Sequence, residues 1–232
     1  MDYAAINKPE PNALTVFPNL PSVDEARNGF HWEDLYSELD WLPGGYLNKA
    51  HECIDRHCKG QRADKIALIW EGKNGEEEHY TFAQMRDESN KFANVLTTLG
   101  ITKGDRVFLF LERLPELYFA LFGALKIGAI VGPLFSAFGP EPVKDRLEDS
   151  GAVLLVTQPS LRKRITGILS DLPNLKHILI TNKNGREAEP LVQGDLSFED
   201  LMASSSTSFE IAETSMNDYS IMHYTSGTTG KP

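Results

Sequence analysis

Four short apolar runs constrain what this chain can fold into. Residues 107–111 (Val-Phe-Leu-Phe-Leu), 129–134 (Ala-Ile-Val-Gly-Pro-Leu), 153–157 (Val-Leu-Leu-Val-Thr) and 178–181 (Ile-Leu-Ile-Thr) carry no charge. Unbroken apolarity at this length marks strands buried on both faces. Helical stretches separate them. One spans 115–127, opened by Pro115 and stopped by Gly128, one spans about 141–149 and ends at Ser150-Gly151, and one spans 160–172. Strand and helix alternating on this spacing require right-handed crossovers and a largely parallel sheet. The fold class is therefore α/β, a largely parallel sheet flanked by helices.

Upstream of this repeat, residues 1–29 hold four prolines and no clear periodicity, and are expected to form an irregular arm ending near residue 30. A short aromatic helix is predicted at 32–41, and Asn48 is placed to cap a helix running to about Cys58. Residues 66–70 and 79–81 read as strands around the turn dipeptide Asn74-Gly75. The next helix is the best specified: Thr81 and Gln84 form a capping box. Phe82, Met85, Phe92, Val95, Leu96 and Leu99 then recur at helical spacing up to Gly100. Those apolar residues are core and carry no ligand role. Downstream, 183–195 is loop-like, and the serine-rich run 204–208 reads as a flexible surface loop.

A strand predicted at 220–224 leads into Tyr224-Thr225-Ser226-Gly227-Thr228-Thr229-Gly230-Lys231-Pro232, where six of nine residues are Thr, Ser or Gly. Glycines let backbone N–H groups approach an anion, hydroxyls add rotatable donors, and an ammonium adds a point charge. By residue type alone the run suits either a phosphate cradle or a plain surface turn. It is not the common phosphate loop: Gly227 and Gly230 are separated by two residues, and Lys231 is followed by Pro. In an open α/β sheet, ligands sit outside the carboxyl ends of strands, where this run would lie.

Composition narrows the partners. A net charge of −10 over 232 residues argues against nucleic acid or an anionic membrane as a partner, since both need a positive footprint. Residues 117–125 are too short for a membrane span, and Lys126 interrupts them. The start Met1-Asp2-Tyr3 does not read as a signal peptide, and two cysteines suggest a reducing compartment, so the cytoplasm is expected. His51, Cys53, His57 and Cys58 invite a zinc reading. Only Cys53 and His57 share a helical face, and a helix with one apolar side fits better. No Gly-x-Ser-x-Gly elbow is present for a serine hydrolase.

Tyr224 to Pro232 resembles the signature loop of the adenylate-forming superfamily, which includes acyl-CoA synthetases, luciferases and peptide-synthetase adenylation domains. Further ordered blocks carry the same resemblance: Tyr80-Thr81-Phe82, residues 125–134 and residues 143–151. Residues 47–57 resemble a block of the acetyl-CoA synthetase branch, and the short AMP-forming acetate–CoA ligases of bacteria are the nearest in pattern. The resemblance covers roughly residues 32–232 and implies the front part of the large N-terminal domain of such an enzyme. It implies acetate, Mg·ATP and CoA as substrates, with acetyl-AMP formed first and its acetyl group then passed to the CoA thiol.

By position, the resemblance assigns Thr225, Ser226, Gly227, Thr228, Thr229, Gly230 and Lys231 to the ATP phosphates. It assigns Arg162, Lys163 and Arg164 to a CoA phosphate, the arginines preferred for their bidentate geometry. Phe135, Ser136 and Ala137 stand where the branch packs CoA adenine against an aromatic-Gly-Gly turn, although both glycines are replaced here. No catalytic acid or base and no metal ligand is assigned within the chain. The ligands of Mg²⁺, the adenine, ribose and acetate contacts, and a mobile lysine-bearing domain are implied beyond Pro232, so this chain is expected to be a front portion inactive alone. Any control by lysine acetylation would also fall beyond it. Propionate or another short acid in place of acetate, or a non-catalytic binding or scaffold protein of the same fold, are the alternatives.

Overall fold

The computed structural model describes residues 22–182 and 190–225, together with Pro9, Ala13, Thr15 and Val16. The chain divides into two units, residues 1–39 and residues 40–232. In the first, Val23–Gly29 forms helix α1, within the stretch expected to be irregular. Ser22 caps it by accepting from the Glu25 N–H at 3.2 Å, and Asp24 and Glu25 suit the helix N-terminus. The aromatic stretch that follows is a 3₁₀ helix, Trp32–Glu38.

The second unit begins with helix α2, Lys49–Cys53, whose first turn is capped by Asn48 Oδ1. The predicted helix does not run on to Cys58. It breaks at Ile54 and resumes as the 3₁₀ turn Asp55–Cys58. Strands β1 (Ile66–Glu71) and β2 (Glu77–Thr81) pair antiparallel, and Gly75 supplies the left-handed backbone of their turn at φ +91°. Helix α3 spans Phe82–Thr98. Its capping box is closed on both sides: Thr81 Oγ1 accepts from Gln84 N at 3.2 Å, and Gln84 Oε1 accepts from Thr81 N at 2.8 Å.

The alternating part then follows as β3 (Arg106–Phe110), α4 (Pro115–Lys126), β4 (Ile130–Pro133), α5 (Pro140–Ser150), β5 (Leu154–Thr157), α6 (Pro159–Ile165), β6 (His177–Ile180), β7 (Leu196–Ser197) and α7 (Phe198–Ala203). The helix expected over 160–172 is α6 followed by the 3₁₀ segment Thr166–Asp171. All pairings in this sheet are parallel, in the order β4-β3-β5-β6-β7. The order reverses between β3 and β5, the switch point where open α/β sheets bind ligands.

Both faces are covered, as parallel sheets require. Val107 and Leu109 join one core with α2, α3, α4 and α7. Phe108 and Phe110, the alternate residues of the same strand, join a second core with α5 and α6. The predicted strand at 220–224 is reduced to one parallel bridge, Val131↔Ile221. Val131 N donates to Ser220 O and Met222 N to Val131 O, each at 2.9 Å. The ladder cannot continue, because Pro133 has no N–H to donate.

Two further departures have physical causes. The 204–208 run is tied down: Asn90 Nδ2 donates to Thr207 O at 2.7 Å, and Asn94 Nδ2 to Ser206 O at 2.8 Å and Ser208 O at 3.0 Å. Lys126 is fully buried, with its ammonium on Asp55 Oδ1 at 2.8 Å and Asn90 Oδ1 at 2.6 Å, joining α4, α3 and the 55–58 turn. Burial pulls its pKa down, and the Asp55 carboxylate opposes that pull. Among the described residues no helix is long and apolar enough to cross a membrane.

Removing one member of a buried ion pair leaves the other uncompensated. Lys126→Ala is expected to lower unfolding free energy by about 3–5 kcal/mol. The Lys126→Ala/Asp55→Ala double variant should recover part of that loss, as read from urea denaturation midpoints.

Candidate nucleotide and thiol site at the carboxyl edge of the sheet

The segments leaving β3, β5 and β6 line one side of a cleft of about 1040 Å³, and the β1–β2 hairpin lines the other. Glu112 N donates to Gln158 Oε1 at 2.9 Å, bridging the switch point between β3 and β5. Trp70 Nε1 donates to the Arg113 carbonyl at 2.8 Å and ties the hairpin to the sheet. Arg113, Ser136, Gln158, Ser160, Thr181 and Asn182 give the cleft its polar lining on the sheet side.

The turn after β4 carries Phe135, Ser136 and Ala137. Phe135 is 66% exposed and meets Phe138 edge-on, with centroids 5.7 Å apart. Phe138 N donates to Phe135 O at 2.9 Å and closes the turn. Arg164, from α6, donates through Nη1 to Ser136 O at 2.7 Å and Phe138 O at 3.3 Å. Two stretches that the sequence could only associate by resemblance, 135–137 and 162–164, therefore touch.

The three basic residues of α6 differ in surroundings. Lys163 and Arg164 are exposed. Arg162 is 6% exposed and turned inward, its Nε donating to Asp195 Oδ2 at 2.9 Å and its Nη1 to Thr166 Oγ1 at 3.1 Å. That guanidinium ties α6 to the segment entering β7. Helical geometry explains the split, since residues two apart point to opposite sides.

Of the hydroxyl-rich run, Thr225 is described and is exposed. Ser226, Gly227, Thr228, Thr229, Gly230 and Lys231 lie outside the described residues. Immediately before Thr225, Tyr224 Oη donates to Asp149 Oδ2 at 2.6 Å, and the Arg146 guanidinium lies 5.5 Å from its ring centroid. Neither Asp149 nor Arg146 stood out in the sequence as a site residue; their presence in the ordered block 143–151 was the available signal. Near the N-terminus of this unit, Cys53 is exposed, and Cys58 Sγ donates to the carbonyls of Ile54 and Phe82.

A five-stranded parallel sheet with its loops gathered at the switch point defines an open α/β domain. The pattern of the AMP-binding enzyme family matches residues 54–232, and the chain belongs to that family. It is 42% identical over 223 residues to the acetyl-coenzyme A synthetase of Bacillus subtilis (strain 168), covering 92% of this chain and 38% of that protein. It is 34% identical over 206 residues to the acetyl-coenzyme A synthetase of Pseudoalteromonas translucida (strain TAC 125), covering 84% and 32%.

Among solved structures, the Brucella canis acyl-CoA synthetase superimposes with a TM-score of 0.79 at 33% identity, over 89% of this chain and 36% of that one. The anthranilate CoA ligase AuaEII, in complex with anthranoyl-AMP, does so with a TM-score of 0.72 at 30% identity, over 82% and 34%. The chain thus spans about a third of the length of these relatives.

Burial, with the Asp149 carboxylate alongside, pushes the Tyr224 phenol from 10.0 up to about 12, against smaller opposing effects of Ser150 and Arg146. A pKa raised on folding stabilises the protein below the unfolded value and loses that contribution as pH rises through the folded one. Wild type should therefore lose stability between pH 10.0 and about 12 more steeply than Tyr224→Phe. Denaturation midpoints across that range, with phenolate absorbance recorded in parallel, test this.

Proposed function

We propose that this chain is the front portion of an AMP-forming acid–thiol ligase whose acid is acetate. The observation that carries the reading is where Thr225 emerges: beside the edge strand of a parallel sheet, at the head of a Thr-Ser-Gly-Thr-Thr-Gly-Lys run. The likeness to acetyl-coenzyme A synthetases favours acetate over other acids.

In the first half-reaction the acetate carboxylate attacks the α-phosphorus of Mg·ATP, forming acetyl-AMP and expelling pyrophosphate. The hydroxyls of Thr225, Ser226, Thr228 and Thr229 and the Lys231 ammonium present donors to the β- and γ-phosphates. Gly227 and Gly230 allow the backbone to come close. Their work is electrostatic: negative charge grows on the departing pyrophosphate, and fixed donors meet it without reorganising. None of them moves a proton.

In the second half-reaction the CoA thiol attacks the acetyl carbon and AMP leaves. The exposed Lys163 and Arg164 are offered to a CoA phosphate, and the exposed Phe135 ring, beside Ser136 and Ala137, to the adenine. Arg162 serves by anchoring α6 through Asp195. With a chain charge of −10, such local cationic groups are what an anionic substrate needs. The cytoplasm, which supplies all three substrates, is the compartment proposed.

The test is exchange of labelled pyrophosphate into ATP by the full-length gene product. Exchange should require acetate, run more slowly with propionate, and fall by roughly tenfold or more in Lys231→Ala, the loss expected for a charge-assisted contact to phosphate. The 232-residue chain alone should show none. Exchange that ignores added acid, or that survives Lys231→Ala unchanged, would overturn the reading.

A further inference from the structure

Tyr224 is held from two directions. Its hydroxyl donates to Asp149 Oδ2 at 2.6 Å and lies 3.4 Å from the Arg146 carbonyl, both in α5. Its ring centroid lies 5.5 Å from the Arg146 guanidinium carbon, which also lies 4.5 Å from the centroid of Phe138. Arg146 is 7% exposed. Its Nη1 donates to the Pro142 carbonyl at 2.8 Å, and its buried Nε has no hydrogen-bond partner among the described residues. A buried guanidinium gains from the aromatic rings near it. Moving the Tyr224 ring away would remove one of those contacts.

The backbone offers little restraint at the same place. Among the described residues, the last main-chain hydrogen bond before the hydroxyl-rich run is Met222 N to Val131 O. Pro133 prevents the next rung. Beyond that bond, among the described residues, the attachment to the domain is through side chains: Met222 and Tyr224 pack on the core of α5 and α6, and the Tyr224 hydroxyl is bonded to Asp149.

We propose that Tyr224 is a positioning residue for the nucleotide. Anchored on Asp149 and packed on Arg146, it fixes where Thr225 leaves the sheet edge, so the phosphates meet a run whose starting point is already set. Such pre-setting lowers the ordering cost that binding would otherwise carry. The inference rests on the functional reading above. Tyr224 itself need not touch substrate.

The experiment uses the full-length gene product, with ATP and acetate KM, kcat and thermal midpoint measured in the pyrophosphate-exchange assay. Tyr224→Phe and Asp149→Ala should each raise the ATP KM roughly five- to tenfold, about what one ordinary hydrogen bond contributes net. The acetate KM should hold, and the thermal midpoint should fall by no more than a few degrees, the loss of one hydrogen bond. Asp149→Asn, whose amide oxygen can still accept the phenol proton, should recover most of the loss seen with Asp149→Ala. Unchanged ATP KM in both Tyr224→Phe and Asp149→Ala, in an enzyme that Lys231→Ala does impair, would overturn the positioning role and leave the ligase reading standing. Equal rises in the ATP and acetate KM would also overturn it, as simple destabilisation. Wild type without acid-dependent exchange would defeat the functional reading and this inference together.

Discussion

Every feature of this domain answers to one requirement: a parallel sheet must be covered on both faces. Strand β3 sits between β4 and β5 and sends Val107 and Leu109 into one core and Phe108 and Phe110 into the other. The space for Phe108 comes from its neighbour Gly132, where any Cβ would collide with the Phe108 ring. On the opposite face α3 and α4 lie so closely that Gly123 meets Phe92 and the Ser89 carbonyl. Close helix packing also explains the buried Lys126. The last residue of α4 has no route to solvent, so its charge is met by Asp55 and Asn90 from the elements around it. Such a pair adds little net stability, but it cannot be half removed.

The same requirement made much of the fold legible in the sequence. Strands buried on both faces must be continuously apolar, so β3, β4, β5 and β6 could be read from hydrophobicity alone. Helix α3 was readable because its stop and start signals are local: Thr81 with Gln84 at one end and Gly100 at the other. Elements without a local signature were missed. Strand β7 is two residues long and gains its strand character from pairing with Leu179 and Ile180. The 204–208 run looked mobile because its restraints, Asn90 and Asn94, lie more than 100 residues away in sequence. The strand at 220–224 was over-read because the proline that ends its ladder belongs to the neighbouring strand.

The candidate site was legible in a different way. Spacing and residue type suggested a run able to meet phosphate, but equally a surface turn; ordered resemblance over several blocks separated the two. Geometry adds what neither could supply. Arg162 and Arg164 have the same chemistry and nearly the same position, yet one is spent on Asp195 inside the protein and the other reaches the turn at Ser136. The distinction follows from helical phase, once the face of α6 that meets the core is known.

Arg146 gives the two halves of the site a common support. Phe138 closes the turn that carries Phe135, and Tyr224 begins the run that carries Thr225; the guanidinium packs against both rings. Each ring–guanidinium contact contributes on the order of 0.5–2 kcal/mol, so displacing either ring removes part of what steadies the cation. The turn at 135–138 and the residue that precedes Thr225 are thus tied to one helix, α5, through the Arg146 side chain. A reaction that passes an acyl group from one ligand to the other depends on the distance between their binding loops staying constant. Under the proposed function, Arg146 in contact with Phe138 and Tyr224 would couple those two stretches.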